Sequence, residues 1–278
     1  MKHGRVLLVG GLDPFGTPVS DVELFDPTHG TFSVVARLLQ GRAYHQTTLL
    51  EDGSVLITGG VDHAGNTLDT AERIDPDTWA IVAIPSRMLA QRRHHRAVVL
   101  EDGRVLITGG GVGDGQRASA EIFDPRTAQF NHPVALATNR VIHTATRTHD
   151  GSVLLYSNGT AEVFQPKHAR FERLPYTRPE IRDGHTASAT PDAVLIVGGV
   201  IPLFDEAVSG APLLFQDGTV IDIATDETLV GRASHAAVEL PDGNVLITGG
   251  QTTLETATAD VILFESGARR FRQLQRWP

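Results

Sequence analysis

The sequence predicts an all-β fold built from six repeats of four short strands, and three observations carry that prediction. The string Asp-Gly-x-Val-Leu-Ile-Thr-Gly-Gly occurs at 52–60, 102–110 and 242–250. Looser copies at 3–11, 150–159 and 192–199 bring the number to six, and the last glycine of each copy falls at 11, 60, 110, 159, 199 and 250. A fixed period near fifty residues is the signature of a repeat architecture. Finally, no stretch carries helical periodicity with caps, while 28 glycines and 15 prolines supply the turns that many short strands require.

Each period is justified element by element. Strand one follows Arg-x-x-His, as in the run from His45 to Leu50, and ends at Asp-Gly, where a tight hairpin turn tolerates positive φ. Strand two is the Val-Leu-Ile run, apolar on both faces as befits a strand covered by neighbouring sheets on either side. The glycine pair ends it, and a variable loop leads to strand three, Glu-x-Phe-Asp-Pro at 23–27 and 121–125, with variants at 72–76 and 162–166. Asp-Pro stops that strand. Strand four is expected to carry Phe32, Trp79, Phe130, Phe171 or Phe271.

Arg-x-x-His, the glycine pair, Glu-x-aromatic-Asp-Pro and a late aromatic together resemble the kelch family of β-propellers, over the whole chain. The resemblance implies one domain, 1–278, of six blades around a channel, at approximately 1–40, 41–90, 91–138, 139–179, 180–229 and 230–278, with strand one of each blade innermost. Five Arg-x-x-His copies, Arg42/His45, Arg92/His95, Arg140/His143, Arg182/His185 and Arg232/His235, serve six blades. The first blade is therefore expected to have three strands, or to have lost its inner strand with upstream sequence, and self-association through this incomplete blade is a further expectation. In the fourth blade Ser157-Asn158-Gly159-Thr160 replaces the glycine pair and reads as a two-residue hairpin.

Composition narrows the function. A net charge of −9 argues against nucleic acid as partner. The chain has no cysteine, which removes disulfides, thiolate zinc sites and the cysteine-modified tyrosine radical of copper oxidases on related propellers. No 18-residue apolar run and no signal peptide are seen in the chain as given, so a soluble protein without membrane insertion is expected. Phosphate-loop, Gly-x-Ser-x-Gly and His-Glu-x-x-His signatures are missing, and no cofactor or metal is expected.

Recurrence separates scaffold from site. Arginines, histidines and glutamates (Glu23, Glu72, Glu121, Glu162) found at one position in most blades serve the blade, whereas a local activity breaks the symmetry. Antiparallel pairing puts the Arg-x-x-His segments and the loops after the glycine pairs at one face, the expected binding face. The residues between Arg and His vary there, and Arg92-Arg93-His94-His95-Arg96 is the densest basic run in an acidic chain. Arg93, His94 and Arg96 are candidates to hold an anionic group, and Tyr44 to stack on a sugar or side chain. Loop acids Asp62 and Asp205 and the apolar stretch ending at Phe204 complete the candidate set. No catalytic constellation is complete, so the sequence reads as a noncatalytic propeller binding a protein or glycan on this face. The alternative is a carbohydrate-active enzyme of the sugar mutarotase or epimerase type, which some bacterial kelch proteins resemble.

Overall fold

The computed structural model describes residues 5–112, 115–116, 119–157, 159–177, 182–199, 211–223, 231–252 and 256–276. Among them there is no helix, and the strands form the six blades of a β-propeller. The chain divides into two compact units, 1–141 and 142–278, each with three blades.

In the first unit, blade one is three-stranded, β1 (Val6–Val9), β2 (Asp21–Asp26) and β3 (Thr31–Arg37). Residues 1–4, which could have supplied its inner strand, lie outside the described residues. Blade two is β4 (Gln46–Leu49), β5 (Val55–Thr58), β6 (Ala71–Ile74) and β7 (Ile81–Ala83) in that order. Blade three has β8 (Arg96–Val99), β9 (Val105–Thr108), β12 (Ser119–Asp124) and β13 (Gln129–Ala135), with a two-stranded ribbon, β10 (Gly111–Val112) and β11 (Gly115–Gln116), in the loop after its glycine pair.

The second unit repeats the plan. Blade four is β14 (Thr144–Arg147), β15 (Val153–Ser157), β16 (Thr160–Gln165) and β17 (Arg170–Thr177). Ser157 pairs with Thr160, which makes the expected two-residue hairpin. Blade five is β18 (Thr186–Ala189), β19 (Val194–Val197), β20 (Leu213–Gln216) and β21 (Thr219–Asp222), and blade six is β22 (Ala236–Glu239), β23 (Val245–Thr248), β24 (Asp260–Glu265) and β25 (Arg270–Arg276).

The core lies between adjacent blades. The second strands β5, β9, β15 and β19 are buried at every residue. Strand three presents an aromatic that pairs directly with one on strand four: Phe25 with Phe32, Phe123 with Phe130, Phe164 with Phe171 and Phe264 with Phe271, ring centroids 4.7–5.0 Å apart. Tilted pairs at this distance add to the stabilisation from burial. Blade two corrects the sequence reading. Its paired position holds Ile81, opposite Ile74, and Trp79 sits in the preceding turn at φ 61. The same turn position is Gly30, Ala128, Ala169 and Arg269 in other blades, all at positive φ, and from it Trp79 packs against the core cluster of Val22, Leu38, Val55, Ile57 and Ile74.

Candidate functional site

The recurrent polar residues fasten the blades. Arg42 donates from Nη1 to the carbonyls of Gly59 (2.9 Å) and Thr70 (3.1 Å) and from Nη2 to Glu72 Oε1 (2.6 Å). Arg92 repeats this with Gly109 (2.6 Å), Ser119 (2.9 Å) and Glu121 Oε1 (2.9 Å). Each glutamate also accepts the backbone N–H of the incoming linker, Leu39 or Leu89, at 2.7 Å. These arginines and glutamates are buried, so every charge needs its partner. In blades five and six the register position of Glu72 is Leu213 and Ile262. Arg182 there donates to the Ala211 carbonyl, and Asp260 faces Arg232 from two residues earlier, on the same side of the strand.

The histidines tie neighbouring blades. Nε2 lies against a threonine hydroxyl of the preceding blade in His95–Thr58 (2.8 Å), His185–Thr144 (3.1 Å) and His235–Thr186 (2.7 Å). Burial, reinforced by the adjacent arginine charge, pushes the imidazoles of His45 and His235 down to about 4. They stay neutral near pH 7, as hydrogen-bonding spacers require.

The glycine pair follows from the same packing. A Cβ on Gly59 (φ 60) would stand 2.4 Å from the Arg92 carbonyl and 2.8 Å from the His95 ring. The N–H of Gly60 donates to that carbonyl at 2.8 Å, as Gly11 does to Arg42 and Gly199 to Arg232. Only a residue without a side chain permits this approach at positive φ.

The irregular residues sit where the scaffold leaves them exposed. Bridges Ala43–Val61 and Arg93–Gly111 in the first unit, and Ala233–Gln251 in the second, place the Arg-x-x-His segments beside the loops after the glycine pairs. The residue before the histidine takes left-handed φ in four of the five segments, Tyr44 at 57°, His94 at 56°, Gly184 at 72° and Ser234 at 53°, and Ile142 before His143 does not. The His94 N–H donates to the Tyr44 carbonyl (3.0 Å), and Ser234 to Gly184 (2.8 Å), so these residues step from blade to blade by backbone hydrogen bonds. In the first unit the step brings two rings together, Tyr44 and His94, with centroids 4.5 Å apart. Both side chains are exposed, and half-buried Arg93 and Arg96 flank His94. Partial burial, then the charges of Arg93 and Arg96, hold the His94 imidazole below its ordinary value.

Asp62 belongs to its loop. Its Oδ1 accepts from the N–H groups of Ala64 (2.9 Å) and Asn66 (2.8 Å), and its Oδ2 from Asn66 Nδ2 (3.1 Å) and Gln40 Nε2 (3.3 Å). Asp205 and Phe204 lie outside the described residues. Sequence reasoning did not anticipate two clefts at the opposite blade ends, by the Asp-Gly turns. One of about 410 Å³ in the second unit is lined by Asp150, Glu172, Asp192 and Phe215, and one of about 210 Å³ in the first by Asp52, Asp102 and Arg126. The acids of the larger cleft are engaged locally, Asp150 by Ser152 and Asp192 by Arg269.

This repeated fastening of Arg, His, Glu and paired glycines holds together a six-bladed β-propeller. The kelch motif matches residues 3–39. Among solved structures, the chain is similar to a fungal alcohol oxidase with catalytic diversity among the AA5 family, in complex with copper, at 16% identity and a TM-score of 0.78. All of the chain is covered, and it spans 64% of the oxidase. It is also similar to YjhT, at 14% identity and a TM-score of 0.70, with 96% of each chain covered. No curated protein matches. At these identities the likeness concerns the fold. The chain has no cysteine, and among the described residues no three His, Asp or Glu side chains are grouped so as to hold a metal ion. No helix of the described residues is long and apolar enough to cross a membrane.

Proposed function

We infer that the chain is a noncatalytic binding propeller whose protein or glycan partner docks at the Arg-x-x-His end of the first unit, on Tyr44, Arg93, His94 and Arg96. The observation that carries this reading is the pair Tyr44–His94: two exposed rings in contact, both held at a positive φ that side chains rarely adopt. A packing role would not demand exposed rings there, and Gly184 at the equivalent place satisfies the backbone with no side chain at all. An aromatic platform beside guanidinium groups suits a sugar ring or side chain bearing an anionic group. Glycan and peptide arrays probed with the labelled protein test this, with Arg93→Ala/His94→Ala as control. Signals lost in the double variant support the patch, and signals that survive remove it.

The mutarotase or epimerase alternative has one observation in its favour, a His94 imidazole biased to the neutral form that a general base needs. Proton NMR of anomer exchange tests it, and spontaneous rates across common aldoses and sialic acids count against it.

A further inference from the structure

Blade five breaks the repeat at the turn between its third and fourth strands. Blades one, three, four and six leave four residues between the last paired residues, Asp26–Thr31, Asp124–Gln129, Gln165–Arg170 and Glu265–Arg270. In blade five Gln216 pairs with Thr219 across Asp217 and Gly218 alone, and Phe215 faces Val220 in place of an aromatic. The last residue of the longer turn fills the seam with the preceding blade. Trp79 and Ala128 pack on core clusters that run across two blades, and Arg269 reaches Asp192 (3.0 Å) and Gln216 (2.7 Å) of blade five. Blade five has no such residue, and its seam with blade four is the cleft of about 410 Å³. Buried Val163, Ala193 and Phe215 form an apolar floor.

One wall of the cleft carries the acceptor set that binds arginine elsewhere in this chain. In blade two Arg73 donates from Nε to Ser54 Oγ (2.8 Å) and from Nη2 to Asp52. Asp150 and Ser152 repeat that turn in blade four, where Val163, opposite Leu154, stands at the register position that Arg73 holds opposite Leu56. Arg104 meets Asp102 in blade three, and Arg269 meets Asp192 in blade five. Asp150 is held by Thr148 Oγ1 (2.5 Å), the Ser152 N–H (3.1 Å) and Ser152 Oγ (3.2 Å), and among the described residues no arginine or lysine reaches it. Gln165 lines the cleft one residue after Phe164, as Gln216 follows Phe215 and accepts from Arg269.

We propose that this cleft binds a guanidinium group carried on an apolar stem, with the guanidinium on Asp150, Ser152 and Gln165 and the stem over Val163 and Phe215. A planar fork spans several acceptors at once, as Arg73 and Arg269 do, whereas an ammonium is a point charge. An apolar floor beneath a few convergent polar groups, at this volume, suits a small ligand or a single side chain, and an alkyl stem lies along such a floor with its charged head outward. Arg269 and Arg170 already engage Asp192 and Glu172, so Asp150 and Asp217 are the rim acids that no cation meets among the described residues. The site does not rest on the reading of Tyr44 and His94.

The test titrates the full chain with n-butylguanidine, with the acetylated and amidated tripeptide Gly-Arg-Gly and with n-butylamine, followed by saturation-transfer NMR. At least one guanidinium probe is expected to bind saturably and more tightly than the amine. Asp150→Asn keeps a side chain able to hold the turn and is expected to weaken binding about tenfold or more, as loss of a charged hydrogen bond implies. Val163→Arg copies Arg73 of blade two and is expected to abolish binding by placing its own guanidinium on Asp150, while Asp242→Asn, in the corresponding turn of blade six, is expected to leave binding unchanged. Circular dichroism verifies that the variants are folded. Tighter binding of the tripeptide assigns the cleft to an arginine of a partner polypeptide, and tighter binding of butylguanidine assigns it to a free small molecule; both support the shared chemistry. No binding of either guanidinium probe, equal binding of butylamine, unchanged affinity in Asp150→Asn, or an equal loss in Asp242→Asn overturns the proposal.

Discussion

Glu121→Gln and Glu23→Gln make the same chemical change at the same repeat position, and the scaffold argument assigns them opposite consequences. Glu121 is 0% exposed and holds both Arg92 Nε (2.9 Å) and the Leu89 N–H (2.7 Å). Replacing its carboxylate leaves the Arg92 charge buried without a counter-ion, and breaking a buried pair costs about 3–5 kcal/mol. With a urea slope of roughly 3 kcal/mol/M, the unfolding midpoint should fall by about 1–1.7 M. Glu23, exposed and without a described partner, should leave the midpoint where it is. Circular dichroism through a urea series measures both. A Glu121→Gln midpoint equal to the parent's, or a Glu23→Gln loss as large as that of Glu121→Gln, would refute the claim that the recurrent glutamates act through burial and pairing.

Acid should loosen the blades before the carboxylates titrate. The folded values of His45 and His235, about 4, lie below the ordinary 6.5, so the unfolded chain takes up these protons first. Stability is full above pH 6.5 and falls as pH drops toward 4, by about 3 kcal/mol for each histidine over the whole window. Melts between pH 7 and 4.5 should therefore show a falling Tm that is shallower in His235→Asn; equal slopes would contradict the linkage. Gly59→Ala, with a Cβ 2.4 Å from the Arg92 carbonyl, should destabilise far more than Gly11→Ala, which meets only the strain of φ 103 and no atom within 4 Å. Thermal melts of the two variants check the order.

The scaffold was legible because its causes are local and repeated. Val-Leu-Ile runs announce strands covered on both faces, and the glycine pairs mark a close approach that the Arg92 carbonyl makes concrete. Trp79 misled because its ring packs on the core from the turn before strand four, at a position whose recurring feature is the positive φ it shares with Gly30 and Arg269, while Ile81 takes the paired place on the strand. Asp260 was invisible because it serves Arg232 from two residues outside the glutamate register, which only the pleat makes equivalent. At the site, variability singled out Tyr44 and His94, and Gly184 was the one hint that their backbone is left-handed. Ring contact across blades depends on the spacing of separate sheets, which no linear pattern encodes. For Asp62, a solvated loop acid and an acid that caps its own loop read alike in sequence.

The central claim is that Tyr44 and His94 are kept at strained positions for what their side chains bind. Replacing both with glycine relieves roughly 1 kcal/mol of left-handed strain at each position. The direct measurement is a thermal melt of Tyr44→Gly/His94→Gly beside its array binding. The account expects a Tm equal to or a few degrees above the parent's, with partner signal lost. A Tm several degrees lower with partner signal intact would contradict it, and would return both rings to the scaffold.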